Sequence, residues 1–555
     1  MKKIRFCLSQ INATVGDIPG NTQAVISGAR AAFSRGCDIV VFPELAVTGY
    51  PPEDLLLKKG FIKKNMAAIS KIASEIPDIT AVAGFVNSRG GKKFNSAAVI
   101  NNKKVKAVYN KINLPNYGVF DEKRYFEPGT APLIFSAAGT PVAVTVCEDL
   151  WSECAPLEAV RGKTDYIINI SASPYHAEKW KERVLLLKKK AAHYGATILY
   201  CNLVGGQDEL IFDGHSLVIN KKGEILSQGW QFAEYSLVID LPAGKPRRTP
   251  CSLPVIFSSL KNSPKKINIS SYKPVSRVEE IYEALKLGTR DYIIKNGFKK
   301  ALVALSGGVD STLVSVIAAD AIGPENVSLV YMPSKYSSKE SYNDAFKLSK
   351  NLGIKLQSVP IQEIFGLYLE KLSGFFKGLP QNTAEENLQS RIRGNIIMAL
   401  SNKFNWLVLT TGNKSEMSTG YATLYGDMAG GFAVLKDVPK TLVYSLCKMR
   451  NKKAGYSLIP ANILKKAPTA ELRHNQKDRD TLPPYGLLDA IIEDYVEKDR
   501  VFAELKNKYN PALLDRVIKM IDFSEYKRRQ APPGIKITPK AFGRDRRMPI
   551  INKYR

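Results

Sequence analysis

The stretch Ala301 to Val314 reads ALVALSGGVDSTLV and restricts the fold more than any other part of the chain. An apolar run short enough for a buried strand breaks into Ser-Gly-Gly, and the apolar pattern resumes as a helix from about Asp310. A strand, a glycine loop and a helix start direct backbone N–H groups and the positive end of a helix at one spot, which attracts an anion. Gly307 and Gly308 let the backbone approach closely, and Ser306 and Ser311 add hydroxyl donors. Asp310 would repel phosphate unless a cation lay between them, so the loop points to a nucleotide accompanied by Mg²⁺. The G-x-x-x-x-G-K-[ST] spacing of the NTPase P-loop is absent.

At 555 residues the chain exceeds one ordinary core, so two or more domains are expected. In residues 1–260, KIRFCLSQI, CDIVVFPE, ITAVAGFV, KFNSAAVIN, TPVAVTVCED, TDYIINIS, ATILYCNLVG and HSLVIN read as strands. NTQAVISGARAAFSRG, with Asn21 as cap and Gly36 as stop, and AEKWKERVLLLKKKAAHYG read as helices between them. That mixture predicts an α/β layered domain. Periodicity then fails in SSLKNSPKKINISSYKPV, where Ser, Pro and Lys accumulate. The expected division is a first domain at 1–260, a linker at 261–275 and a second domain at 276–555, opening with the helix SRVEEIYEALKLGTRDYIIKNG.

The net charge is +28. Nucleic-acid binding would account for it, and so would a Lys-rich solvated surface with basic nucleotide pockets. The surplus is spread over short pieces such as LLLKKK, NNKK and GFKK, with no finger or RNP-type signature. The second reading is favoured, and no nucleic-acid partner is expected. The seven Cys form no C-x-x-C pair and no zinc spacing, so a disulfide framework is not expected. The opening MKKIRFCLSQINATVGD lacks an apolar signal region, and no uncharged apolar run reaches the ~18 residues of a membrane span. A cytoplasmic protein without a membrane partner is the expectation.

Three reactive residues stand at or just beyond strand ends of the first half: Glu44 after IVVFP, Lys111 after KAVYN and Cys147 after PVAVTV. Strand ends of a layered domain can converge on one edge. A Cys attacks a carboxamide as thiolate, and at a free pKa of ~8.5 only a few per cent is ionised at neutral pH. Lys111 would favour the thiolate and stabilise an oxyanion, and Glu44 would carry protons. A Cys–His arrangement using His176, His193 or His215 competes for the same nucleophile.

SGGVDS after a strand resembles the pyrophosphate loop of the N-type ATP pyrophosphatases. ENLQSRIRGNIIMALS, VLTTGNKSEMSTGYATLYGDMAGGFAVLKDVPKTLVY, KKAPTAEL and EYKRRQAPPGIKIT are similar, in order, to the NAD synthetase branch of that group. The resemblance spans residues 276–555 and implies a Rossmann-like α/β domain. It implies that Ala304, Leu305, Ser306, Gly307, Gly308, Val309, Asp310 and Ser311 hold ATP, which Thr411, Lys440 and Thr469 also contact. Asn387, Arg391, Glu416 and Lys527 would lie along a deamido-NAD⁺ site, and Asp310 and Glu416 would hold Mg²⁺. Leu424 stands where shorter, ammonia-using relatives carry a basic residue.

VFPELAVTGYPPEDLL, KINLPNYGVFDEKRYFEPG and VAVTVCEDLW resemble the nitrilase superfamily, specifically its glutaminase branch joined to NAD synthetases. This implies an αββα sandwich with Glu44 as base, Lys111 as transition-state stabiliser and Cys147 as nucleophile. Glu122 matches a second carboxylate, Tyr117, Ser173 and Lys179 match glutamine-binding positions, and Phe120 would shape the pocket. The histidines have no place in that triad. Together the resemblances imply a carbon–nitrogen ligase that takes ammonia from glutamine and amidates deamido-NAD⁺ through an adenylate, yielding NAD⁺, AMP and pyrophosphate. They further imply a homo-oligomer and an internal passage for ammonia. An enzyme adenylating an RNA base would also suit the charge, but the nitrilase-like half and YGDMAGGFAVLKDVPKT argue against it.

Overall fold

The computed structural model describes residues 3–137, 139–153, 155–244, 255–256 and 272–554. Most of the expected linker at 261–275, like Cys154 and Cys251, lies outside the described residues. The chain divides into two compact units, Met1–Gln207 with Ile211–Pro274, and Asp208–Leu210 with Val275–Arg555. Among the described residues no helix is long and apolar enough to cross a membrane.

The first unit stacks two sheets. One runs, in spatial order, Tyr235–Pro242, Lys3–Gln10, Ile39–Val41, Thr80–Arg89, Lys92–Asn101 and Lys104–Asn110. The other runs Ile225–Gln228, Leu217–Ile219, Thr197–Asn202, Tyr166–Ser171, Thr140–Val146, Leu133–Ala137 and Val255–Ile256. Period-two alternation sends Ile4, Phe6 and Leu8 of one sheet against Val142, Val144, Val146, Ile168 and Ile170 of the other. The alternate residues of the second sheet, Ile167 and Ile198, face Leu187, Ala191 and Tyr194 of the helix Lys179–Tyr194. Helices Ile18–Ser34 and Lys59–Glu75 pack on each other, the latter against Thr80–Arg89 of the first sheet. Both faces of these strands are covered, which is why they read as nearly continuous apolar runs. This is the expected αββα sandwich.

The helix placed at NTQAVISGARAAFSRG begins earlier than expected. Its cap is Asp17, whose side chain accepts from the Gly20 N–H at 2.9 Å, with Pro19 preset in the first turn. Asn21 is a buried tie, accepting from Thr14 N–H and donating to the Thr14 and Val47 carbonyls.

The second unit holds a parallel sheet in the order Leu356–Ser358, Val327–Tyr331, Ala301–Ala304, Leu407–Thr410, Phe432–Ala433. From Ala301–Ala304 the chain builds outward on one side, then crosses to the other. The loop after Ala304 therefore sits where strand order reverses, the crevice in which open α/β sheets bind ligands. Helix Val309–Ile322 follows and packs on that strand and on Val327–Tyr331.

Candidate active sites

Glu44 and Lys111 follow strands of the first sheet, Ile39–Val41 and Lys104–Asn110, and Cys147 follows Thr140–Val146 of the facing sheet. Lys111 Nζ donates to Glu44 Oε1 at 2.8 Å and to Glu122 Oε1 at 2.9 Å. Glu44 Oε1 also accepts from Asn95 Nδ2 at 2.7 Å, and its Oε2 accepts from the Ala172 N–H at 2.8 Å, just past the strand Tyr166–Ser171 of the opposite sheet. Tyr50 donates its hydroxyl to Glu122 Oε1 at 2.9 Å. Glu44 and Lys111 are 0% and 1% exposed. Behind them a Cβ on Gly84 would come within 2.7 Å of the Glu44 carbonyl carbon, so glycine permits this close approach.

Burial opposes the charge on Lys111, but Glu122 and Glu44 outweigh it and hold its pKa well above the usual value. Glu122 is pushed up to about 7, chiefly by burial. Burial and the Glu44 carboxylate also raise the Cys147 thiol, against the pull of Lys111. Lys111 thus acts on the sulfur in the expected direction without deciding the outcome, because burial and the Glu44 carboxylate outweigh it. The resting nucleophile is a thiol, and a base must take its proton as sulfur attacks. Cys147 has φ +41° and ψ −98°, a conformation rarely open to a side-chain-bearing residue and common where strain serves function.

The helix Glu148–Trp151 begins beside Cys147 and meets two of the expected glutamine-binding residues, Tyr117 and Lys179. Tyr117 donates to Glu148 Oε2 at 2.9 Å and meets the Phe120 ring edge-on at 5.4 Å. Lys179 Nζ stands 4.4 Å from the Trp151 ring centroid and 3.1 Å from Glu182. Ser173 is buried and tied through its N–H to Asn202 Oδ1 at 3.0 Å. The histidines are engaged elsewhere. His193 meets Glu158 at the surface, His176 lies 3.8 Å from Glu182, and His215 sits between Trp180 and Tyr272, where burial lowers its pKa to about 4.

In the second unit a cavity of about 310 Å³ is lined by all of Ala304 to Ser311 together with Thr411, Glu416, Lys440 and Thr469. The loop braces itself. Ser306 Oγ accepts from the Gly308 N–H at 3.2 Å and lies 3.0 Å from Ser311 Oγ. Gly307 has φ +83°, and a Cβ there would lie 2.9 Å from the Ser341 carbonyl carbon, whereas Gly308 has φ −84°. The need for glycine is therefore conformational and steric at Gly307 only.

Lys440 Nζ reaches Asp310 Oδ2 at 2.5 Å and Glu416 Oε1 at 3.4 Å, and Asn413 Nδ2 donates to Asp310 Oδ1 at 2.9 Å. Asn413 also caps the helix Lys414–Thr419 in a reciprocal box with Glu416, setting the carboxylate at the cavity wall. Burial pushes Glu416 up to about 8, with Lys440 pulling down and Asp310 pushing up. Asn387, Arg391 and Lys527 are absent from the lining of that cavity. They hold the segment Gly420 to Leu424: Lys527 Nζ donates to the Gly420 and Ala422 carbonyls, Arg391 Nε to the Leu424 carbonyl, and Asn387 Oδ1 accepts from Thr423. Tyr421 and Ala422 of that segment do line the cavity.

The carbon–nitrogen hydrolase family model matches residues 6–249, and the NAD synthase model matches residues 281–531. A glutamine-dependent NAD(+) synthetase of Thermotoga maritima is 47% identical over 574 aligned positions, covering 100% of both chains. The chain belongs to the glutamine-dependent NAD(+) synthetases. The solved member from Acinetobacter baumannii, in complex with ADP, is 40% identical, with 99% of each chain covered and a TM-score of 0.78. The Cytophaga hutchinsonii member, 21% identical, covers 99% of this chain and 98% of its own with a TM-score of 0.83 and shares the fold.

For a member of this family, the donor set at the cavity suits Mg²⁺. Two carboxylates converge on one cation, and Mg²⁺ is commonly held by one or two carboxylates with phosphate and water completing its shell. Several residues that hold the two candidate sites together escaped the sequence reading. Asn95, Tyr50 and Asn413 are neutral polar residues whose meaning lies in long-range partners. Glu148 and Asp149 stand in the quoted VAVTVCEDLW without an assigned role, although two acids in the helical turn after a nucleophile are a legible signal. Glu471 accepts from Ser338, Ser341 and Lys466 beside the cavity, and only the tertiary fold pairs them.

Proposed function

We propose that the chain forms NAD⁺ by joining two reactions. In the first unit Cys147 Sγ attacks the side-chain carbonyl of glutamine while Glu44 takes the thiol proton. Lys111, positively charged and fixed between two carboxylates, stabilises the oxyanion, and Glu44 returns a proton to the departing ammonia. Water then releases glutamate from the thioester. Tyr117, Ser173 and Lys179 hold the glutamine. Domain limits of 1–260 and 276–555, joined by the linker, belong to this reading.

In the second unit the nicotinate carboxylate of deamido-NAD⁺ attacks the α-phosphorus of ATP, and pyrophosphate leaves. Ammonia then displaces AMP from the adenylate to give the amide. The loop Ala304 to Ser311 binds the phosphates, with Thr411, Lys440 and Thr469. Glu416 and the segment tied by Asn387, Arg391 and Lys527 face the dinucleotide. Mg²⁺ held by Asp310 and Glu416 would supply charge neutralisation for the departing pyrophosphate. A cytoplasmic location and assembly as a homo-oligomer belong to the same reading, and sedimentation analysis checks the latter.

The observation that carries the reading is the closed set of Glu44, Lys111 and Glu122 beside Cys147, in a chain that also bears the SGGVDS loop. Supplying deamido-NAD⁺, ATP and ¹⁵N-amide glutamine should yield ¹⁵N-NAD⁺, glutamate, AMP and pyrophosphate. ADP and phosphate as products would overturn the adenylate.

A further inference from the structure

Lys111 and Cys147 come from different sheets, so something must hold one strand end against the other. Asp149, two residues beyond Cys147 and 0% exposed, spans them. Its Oδ1 accepts from the N–H groups of Ile112 at 3.1 Å and Asn113 at 2.8 Å, the two residues that follow Lys111. Its Oδ2 accepts from the Val146 N–H at 2.9 Å, just before Cys147, and from the Tyr109 hydroxyl at 2.8 Å. Oδ1 thus serves the residues after Lys111, and Oδ2 joins Val146 before Cys147 to Tyr109 of the lysine's strand. Burial raises its pKa to about 6, against the pull of these donors, so at neutral pH it is a carboxylate with acceptors on both oxygens.

We propose that Asp149 is the positioning residue that holds Lys111 and Cys147 in register across the two sheets. It touches no reacting atom. The proposal rests on the reading of the first unit as the glutaminase. Asparagine cannot replace it, because one of its two terminal atoms is a donor and would face at least one backbone N–H, that of Val146 on one side or those of Ile112 and Asn113 on the other.

The test compares Asp149→Asn with the native enzyme for glutamine hydrolysis, with circular dichroism and the unfolding temperature as the control for folding and ammonium-supported NAD⁺ synthesis as the control for the second unit. Misplacement of a catalytic group by about 1 Å can cost on the order of 10²-fold, so kcat should fall about that far while KM stays within about threefold. Alkylation of Cys147 by iodoacetamide should change in rate in the same variant. A purely structural role would lower the unfolding temperature and leave kcat per folded molecule intact. Native kcat in a folded Asp149→Asn overturns the proposal. Should that variant not fold, Tyr109→Phe removes a single bond to Oδ2; a several-fold loss of kcat at unchanged KM supports the role, and unchanged kcat overturns it. Cys147→Ser is measured in parallel. If it still hydrolyses glutamine, the glutaminase reading has failed; if it is inactive while Asp149→Asn is normal, only the positioning role has failed.

Discussion

In each candidate site a lysine stands between two carboxylates, and the surroundings of these two lysines differ. Lys111, between Glu44 and Glu122, is sealed in the sandwich, where a backbone N–H, an asparagine amide and a tyrosine hydroxyl complete the carboxylates' bonds. Lys440, between Asp310 and Glu416, is buried too, but its partners are 16% and 19% exposed at a cavity wall. A sealed arrangement of this kind is organised before substrate arrives, so its charges are available without rearrangement at the moment of reaction. At the cavity wall Lys440 occupies the place a cation would take between the two acids. Its N–H groups, now given to the two acids, would turn to phosphate if the acids took a metal. On the proposed reading, Lys111 would keep its partners through the reaction and Lys440 would exchange them.

The largest effect that separates the two sites is at the nucleophile. Cys147→Ala should lower glutamine-supported NAD⁺ formation by about 10³-fold or more and leave ammonium-supported formation near native. Loss of both in a folded variant would show that the sites are not separable. Next come changes at the cavity. Gly307→Val and Asp310→Asn should each reduce pyrophosphate release by about 10²-fold with either nitrogen source, the first through its φ of +83° and the crowding Ser341 backbone, the second by removing a metal-directed charge. Gly308→Ala, at φ −84° with only Ser306 Oγ at 3.3 Å, should stay within about threefold. Equal losses at Gly307 and Gly308 would contradict the steric distinction, and normal pyrophosphate release from Asp310→Asn across a range of Mg²⁺ would remove the metal role.

A smaller effect tests how closed the first site is. Below pH 4.5 Glu122 is protonated whether the chain is folded or not. Between there and its folded value of about 7 only the native state keeps the proton, so native stability declines as pH rises, by on the order of 3 kcal/mol at most. Glu122→Gln lacks this slope. The stability of native protein relative to the variant should therefore shrink between pH 5 and 7.5 in unfolding experiments. A constant difference would mean that Glu122 is ionised throughout. The smallest effect lies outside both sites: duplex DNA should bind weakly and be released steeply by salt, and tight, sequence-selective binding at physiological ionic strength would reverse the reading of the +28 charge.

The strands of the sandwich and the strand–loop–helix at Ser306 were legible because buried strands are continuous apolar runs and glycine loops interrupt them sharply. The first helix was misplaced at its start because Asp17 and Asn21 are both good caps by composition. The choice between them was made by Pro19 in the first turn and by the partners Asn21 finds at Thr14 and Val47. The influence of Lys111 on Cys147 was read with the right sign. The sequence held no measure of burial, which sets the thiol's protonation in the resting site.

What the sequence by itself determined was the inventory: which strand ends carry Glu44, Lys111 and Cys147, and where a glycine loop could admit phosphate. These are local properties, set by periodicity and by the chemistry of single side chains. Only the tertiary structure decided that Lys111 is held by two acids and not one, and that Asp149 spans two sheets. It also decided that Gly307 and Gly308 are unlike, and that Asn387, Arg391 and Lys527 act on the segment from Gly420 to Leu424. Hydrogen bonds and desolvation depend on residues distant along the chain being brought within about 3 Å of one another in a dry interior, and no local pattern encodes that distance.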